Sequence, residues 1–282
     1  MASEVPFWRA AALSLLLLAA ALIAWELAVM PRAGGGAALD PEYAALLGQA
    51  AAQGGTTPMP GPSAIGARLV ELLSDPFYVR GTNDQGIGVQ IAYSLLRVGA
   101  GFGLAALVAI PLGFLIGMSP LLNAALNPFI QVLRPVSPLA WMPLALYTIK
   151  DSAVSSIFVI FICSVWPMLL NTAFGVASVR REWLNVARTL EAGTWKTATR
   201  VILPAAAPTI LTGMRISIGI AWLVIVAAEM LVGGTGIGYW VWNQWNNLSI
   251  ADIVIAILMI GVVGLALDRL LGLVAHAVAW RE

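Results

Sequence analysis

Apolar runs long enough to cross a bilayer alternate with short polar breaks along this chain. A hydrocarbon core of ~30 Å takes about 20 apolar residues as a helix. Such runs lie at about 10–30, 87–118, 127–149, 153–179, 206–231 and 250–274. They predict an all-α integral membrane protein with six transmembrane helices. The first run is long for the apolar part of a secretion signal. Glu4 accompanies Arg9 ahead of it and no clear A-x-A site follows, so it is read as a span. The third run carries Pro128, Pro135, Pro138 and Pro143. Proline removes a backbone donor, so this span is expected to be kinked or discontinuous.

The breaks between runs differ in kind. Residues 31–86 hold PRAGGG, GGTTPMPGPS and several acids, with a helix-compatible stretch at Ile65–Leu73 that suits a short interfacial helix. The expected organisation is a first span at 1–30, an external loop at 31–86 and a five-helix core at 87–282. Orientation follows from basic residues in short loops. Arg180, Arg181, Arg188, Lys196 and Arg200 crowd the stretch between spans four and five, whereas the loop between spans five and six has no Lys or Arg. The first loop is therefore expected in the cytoplasm and the second outside, with both termini inside. Arg32, Arg68 and Arg80 count against this orientation, but long loops obey the charge rule less well.

Composition narrows the function classes. Hydrophobic residues make up 60% and charged residues 10% of 282, with a mean hydropathy of +0.88. Soluble domains average roughly 45–50% apolar and ~25% charged, so a cytosolic enzyme, a disordered chain and a secreted disulfide scaffold are excluded. A net charge of +1 provides no field for nucleic acid. One cysteine, Cys163, and one histidine, His276, supply too few ligands for an ordinary structural zinc site. The chain has no GxxxxGK[ST] loop. Gly234, Gly236 and Gly238 are no substitute, because no lysine follows them. No cofactor is expected on this chain.

The stretch Arg181–Thr199 (REWLNVARTLEAGTWKTAT) carries the most information. Trp183, Val186, Ala187 and Leu190 recur at helical spacing on one face, while Arg188 and Glu191 point elsewhere. An amphipathic helix between two spans buries its stripe on lipid headgroups or in a groove of a partner protein. Leu203-Pro204 closes a segment that resembles the "EAA" loop of ABC-importer permease subunits. That pattern runs Glu-Ala-Ala, three residues, Gly, nine residues, Ile-x-Leu-Pro. Set on Leu203-Pro204, it puts Asn185, Val186 and Ala187 on its first three positions, Glu191 on the Gly and Val201 on the Ile. Ala187, Leu203 and Pro204 match strictly and Val201 conservatively; Gly193 stands two residues late.

The resemblance extends over about residues 90–275. Segments 94–117, 127–147 and 204–230 are similar to the nitrate/sulfonate/taurine branch. GGTGIGYWVWNQWNN (233–247) and GVVGLALDR (261–269) are similar to its nitrate and bicarbonate members. The resemblance implies a type I ABC-importer permease fold with a cytoplasmic coupling helix between spans four and five. It implies that Trp183, Val186, Ala187, Leu190, Glu191, Gly193, Leu203 and Pro204 dock a separate nucleotide-binding ATPase subunit, which uses the ATP. It also implies a second permease subunit, expected as a homodimer, and an external substrate-binding protein, in a bacterial inner membrane.

Charged side chains in the spans are costly and normally face protein or water. Arg97 and Arg215 are candidates for positive potential along an anion path. Arg215 alternatively pairs with Asp268, and Glu229 pairs with Arg97 or holds the external gate by hydrogen bonds. Ser137, Trp141, Asn171 and Trp222 are candidate neutral donors on the path, with helix packing as the competing role. The expected function is the membrane subunit of an ATP-driven importer for a small inorganic anion, nitrate or nitrite first, with bicarbonate, cyanate, taurine and alkanesulfonates as alternatives. A self-contained secondary transporter would need its own coupling-ion site and commonly shows an internal repeat. No convincing repeat occurs and the acids do not cluster. A membrane scaffold without transport is disfavoured by the Gly and Pro content of the spans.

Overall fold

Residues without water to bond their backbone must satisfy it internally, and in a single apolar segment only the α-helix does so. The computed structural model describes residues 7–30, 59–81 and 84–278. Among these, every element is helical apart from one isolated antiparallel bridge, Val79 to Gln85. Glu4, Arg32, the Gly/Pro stretch at 31–36 and the 54–58 part of the second one lie outside the described residues. The elements are α1 (Phe7–Val29), α2 (Pro62–Ser74), α3 (Ile87–Met118), α4 (Pro120–Leu133), a 3-10 turn (Pro138–Trp141), α5 (Met142–Ile149), α6 (Ser152–Ala177), α7 (Arg181–Thr189), α8 (Thr194–Thr197), a π turn (Ala198–Ile202), α9 (Leu203–Val232), α10 (Ile237–Asn246) and α11 (Ile250–Val278).

Five helical runs are long and apolar enough to cross a membrane. A bent pair, Pro120–Leu133 with Pro138–Ile149, turns by 85° and makes up to six if it counts as one span. The break falls at Arg134-Pro135-Val136-Ser137-Pro138. Pro135 and Pro138 supply no N–H there, so the ladder of α4 cannot continue into α5. Local chemistry fixes other ends. Ser119 accepts from Leu122 N at 3.3 Å to start α4, and Asp151 accepts from Val154 N at 2.8 Å to start α6. Lys150, in a left-handed conformation at φ 60°, stops α5.

The fifth span departs from the sequence expectation. Helical backbone runs without interruption from Thr194 to Val232, so Leu203-Pro204 lies within a rod and does not mark its start. The π turn at 198–202 makes this possible. Wider backbone bonding just ahead of Pro204 absorbs its missing donor and its ring.

The chain divides into two units. In the larger, residues 76–243 and 258–282, α6 is the central rod. A row of small residues on α3 recurs every four positions: Gly101, Ala105, Ala109, Gly113 and Gly117. A Cβ on Gly113 would fall 2.6 Å from Leu169 O, and one on Gly117 2.6 Å from Ala173 O, so the backbones approach as closely as packing permits. On the other side Gly213 of α9 lies against Asn171 of α6, and Ser217 Oγ donates to Ser164 O at 2.8 Å. Met168 and Leu169 pack among Ala105, Ala109 and Ile116. Trp222 Nε1 donates to Ile260 O at 2.9 Å and ties α9 to α11.

In the smaller unit, residues 1–75 and 244–257, Glu26 of α1 supplies the cap that Gly61 lacks at the start of α2. Its carboxylate accepts from Ser63 N at 3.1 Å and from Ser63 Oγ at 2.7 Å. Arg68 of α2 bonds Asp252 at 2.8 Å and Glu71 at 2.7 Å. These two carboxylates, Asp252 foremost, push the guanidinium pKa above its ordinary value. A raised cation pKa gives stability that is complete below the ordinary value, so Arg68 keeps its charge across the physiological range.

Candidate functional site

Two concave sites and one buried polar knot stand out in the larger unit. The first site is built by residues 181–203. Arg181–Thr189 forms α7, with Glu182 in its first turn and Arg188 in its last, matching the helix dipole at each end. Leu190 caps it, and Glu191 follows at φ 51°. Glu191 N donates to Arg188 O at 2.9 Å and Ala192 N to Ala187 O at 2.9 Å. These bonds are the paired signature of a Schellman turn, in which the residue after the cap adopts the left-handed conformation that favours glycine. The position to which the EAA pattern assigns Gly thus takes the glycine conformation with Glu191 in it. Gly193 does not make the turn. At φ −62° and ψ 157° it is the extended residue that starts α8.

The turn folds α7 back beside the π turn and encloses a groove of about 430 Å³ lined by Trp183, Val186, Ala187, Leu190, Val201 and, at the rim, Lys196 and Arg200. Ala187 is 5% exposed at its floor, whereas Val186 is 59% and Leu190 75% exposed. Leu203 and Pro204 lie past the groove at the foot of α9. Trp195, 80% exposed beside the groove, was missed by sequence reasoning because it falls outside the α7 periodicity.

The second site is a cavity of about 500 Å³ formed by the α4–α5 break and the middle of α6 and α9. Its lining includes Arg134, Pro138, Trp166, Asn171, Ile216 and Ile220. Of the sequence-derived path residues only Asn171 borders it, with its Nδ2 donating to Pro167 O at 2.8 Å. Arg134 and Trp166 were not anticipated. A cation flanked by prolines at a predicted break was the available signal for Arg134.

The knot joins α3, α9 and the loop before α10. Glu229, 1% exposed, accepts from Arg97 Nη1 at 2.7 Å, from Ser94 Oγ at 2.8 Å and from Gly238 N at 3.0 Å. Arg97 also donates to Thr235 O. Ser94 Oγ accepts from Ile237 N at 2.9 Å, and Gln90 Oε1 accepts from Gly236 N at 2.6 Å. Gln90, Ser94 and Arg97 stand at i, i+4 and i+7, so one face of α3 presents all three. Arg97 and Glu229 neutralise one another here and lend no net charge to a path. Arg215 bonds Asp268 through Nε and Nη2, which spends that charge as well.

The remaining candidates are dispersed. Ser137 is the exposed residue ahead of the 3-10 turn and makes no side-chain cap. Trp141 packs against the Met142, Val159 and Cys163 cluster, with its buried Nε1 unpartnered among the described residues. Trp222 has its donor engaged by Ile260. Among the described residues no group of three His, Cys, Asp or Glu side chains could hold a metal ion.

Comparison with known proteins places this architecture. The family described as the inner membrane component of binding-protein-dependent transport systems matches residues 109–280. The nitrate import permease protein NrtB of Synechocystis sp. is 44% identical over 224 residues, covering 79% of this chain and 82% of that one. NrtB of Leptolyngbya laminosa is 48% identical over 208 residues, covering 74% and 75%. The bicarbonate transport system permease protein CmpB of Synechococcus elongatus is 44% identical over 227 residues, covering 79% and 82%. A chain of the inward-facing MetNI methionine ABC transporter shares the fold, with a TM-score of 0.58 at 12% identity over 67% of this chain and 94% of that one. A self-contained secondary transporter and a passive scaffold are thereby set aside. The chain belongs to the inner-membrane components of binding-protein-dependent transport systems, and it is a permease subunit of an ABC importer.

Proposed function

We propose that this chain forms the translocation path for nitrate in an ATP-driven importer, gripped through residues 181–203 by a separate ATPase subunit. The observation that carries the coupling role is the groove at α7. Its apolar side chains, Val186 and Leu190, stand exposed on a helix whose turn and floor are otherwise fully bonded and packed. Surface left in that state is what a partner helix or cleft covers. ATP hydrolysis belongs to the partner, whose closure moves α7 and reorients the path as a rigid-body change. Two copies of this chain face one another, an external binding protein delivers the anion, residues 31–86 lie outside, and both termini face the cytoplasm.

Nitrate is the first choice of substrate because the permease named for it includes the 48% identical relative; bicarbonate is the second, on relatives at 44%. The two ions are planar trigonal monoanions of similar size, so a path suited to one suits the other.

The test is uptake by proteoliposomes holding the permease with its ATPase subunits and binding protein. Labelled nitrate is expected to accumulate only with ATP inside the compartment that holds the ATPase. Leu190→Asp is expected to abolish uptake and release the ATPase on purification while the permease inserts at its normal level. Leu190 suits this test better than Ala187, whose burial means that Ala187→Asp also damages the fold. Wild-type uptake by the Leu190→Asp complex would contradict the coupling role, and uptake of bicarbonate alone would replace nitrate with the second choice.

A further inference from the structure

The spans of the larger unit carry few cations, and two of them have their charge cancelled by an acid. Arg97 is bonded to Glu229 and Arg215 to Asp268. Arg269 adjoins Asp268, whose carboxylate Arg215 already engages, and it does not border the cavity. Arg134 differs. Its backbone N bonds Ile130 O at 2.9 Å, but among the described residues its guanidinium has neither a hydrogen-bond acceptor nor a carboxylate partner. It caps α4 where the bent pair turns by 85°, and it borders the 500 Å³ cavity. The wall residues Trp166 and Pro167 lie at mid-length of α6 with Asn171 a turn further on, and Ile216 and Ile220 lie at mid-length of α9. Among the described residues no Asp or Glu lines the space. An unspent cation in a membrane segment is costly and by default marks function.

We propose that Arg134 is the residue that contacts the substrate anion in transit, receiving a planar trigonal oxyanion of single charge through its guanidinium fork, with the Asn171 amide lining the same cavity. The inference rests on reading the chain as an anion permease. The guanidinium is flat and presents paired N–H donors in its own plane, which matches two oxygens of a nitrate or bicarbonate edge-on. Asn171 has committed one amide hydrogen to Pro167 O and retains the other. A cavity of about 500 Å³ holds an anion together with roughly a dozen waters at ~30 Å³ each. One cation in such a space attracts the ion without trapping it, as transport requires. The proline-broken helix explains why this residue is free. Between Leu133 and Pro138 the side chain leaves a terminated helix end, and no described helix supplies it with an acid.

The experiment is a charge series at position 134 in the complete importer, reconstituted with its ATPase subunits and binding protein. Labelled nitrate and labelled bicarbonate uptake are measured beside the ATPase stimulation produced by loaded binding protein. Arg134→Lys is expected to keep an intermediate rate, since it retains charge but loses the fork. Arg134→Gln is expected to lose about tenfold or more in uptake, the size of a lost charged hydrogen bond, and Arg134→Glu to fall below it. ATPase stimulation and complex assembly stay at the wild-type level throughout, a pattern that a merely structural arginine does not produce. Uptake that is equal in the Arg, Gln and Glu forms overturns the proposal, as does a loss that only follows loss of assembly. If the wild-type importer moves neither anion with ATP, the functional reading itself fails, which is a separate result.

Discussion

Glu229 and Arg97 meet at 2.7 Å between α9 and α3, with the carboxylate 1% and the guanidinium side chain 12% exposed. Around them Ser94, Gln90 and the N–H groups of Gly236, Ile237 and Gly238 complete the bonding, so the glycine loop is hydrogen-bonded to both α3 and α9. This is the only described place in the larger unit where a fully buried acid joins two spans and a loop. A network of this kind is stabilising only while every member is satisfied.

Removing one partner of the pair therefore leaves a stranded charge. Glu229→Met and Arg97→Met are each expected to cost about 3–5 kcal/mol and so to lower the melting temperature of the purified complex steeply. The Arg97→Met/Glu229→Met double variant is expected to cost less than either single change, because no lone charge remains. Thermal unfolding of the four proteins checks the sign of the coupling; additive losses would mean that the two residues do not depend on each other.

The glycines of the same loop carry a steric prediction. A Cβ on Gly238 would lie 2.0 Å from Val226 O, and one on Gly236 2.2 Å from the Glu229 carboxyl carbon. Neither neighbour is free to move, since one is helix backbone and the other the centre of the knot. Gly238→Ala and Gly236→Ala are each expected to destabilise by about 1–3 kcal/mol. Gly66 in α2 has nothing within 4 Å, and Gly66→Ala is expected to be neutral or to gain about 0.5–1 kcal/mol of helix preference. Melting curves of the three variants distinguish a packed loop from a tolerant one.

Glu191 offers the opposite case, a substitution toward glycine. At φ 51° it holds a conformation that costs an L-residue roughly 1–2 kcal/mol. Glu191→Gly is expected to raise the melting temperature modestly, since the Ala192 N to Ala187 O bond that shapes the turn is kept. A fall in stability would show that the Glu191 side chain makes a contribution larger than the backbone cost.

The departures from expectation have identifiable physical causes. The EAA pattern lacked its glycine, yet the turn formed, because two backbone hydrogen bonds hold Glu191 in the left-handed region. The fifth span was expected over about 206–231, just past Pro204, but the π turn lets the helix run through that proline from Thr194. The candidate path residues Arg97, Arg215 and Trp222 were chosen as polar groups in apolar runs. Each is bonded to a partner 38 or more positions away in the chain, a separation that local pattern does not reach.

The sequence alone determined that the chain is a helical membrane protein, where its long helices lie, where one is broken and which stretch between spans is amphipathic. These are local properties: run length, 3.6-residue spacing, and prolines that remove donors. Tertiary structure decided which charges are cancelled and which remains. Whether an arginine is neutralised depends on an acid brought to it from another helix, and that distance is set by how closely the small residues of α3 and α9 let the backbones approach α6. Arg134 was as visible in the sequence as Arg97; only packing revealed that one has a partner and the other faces an open cavity.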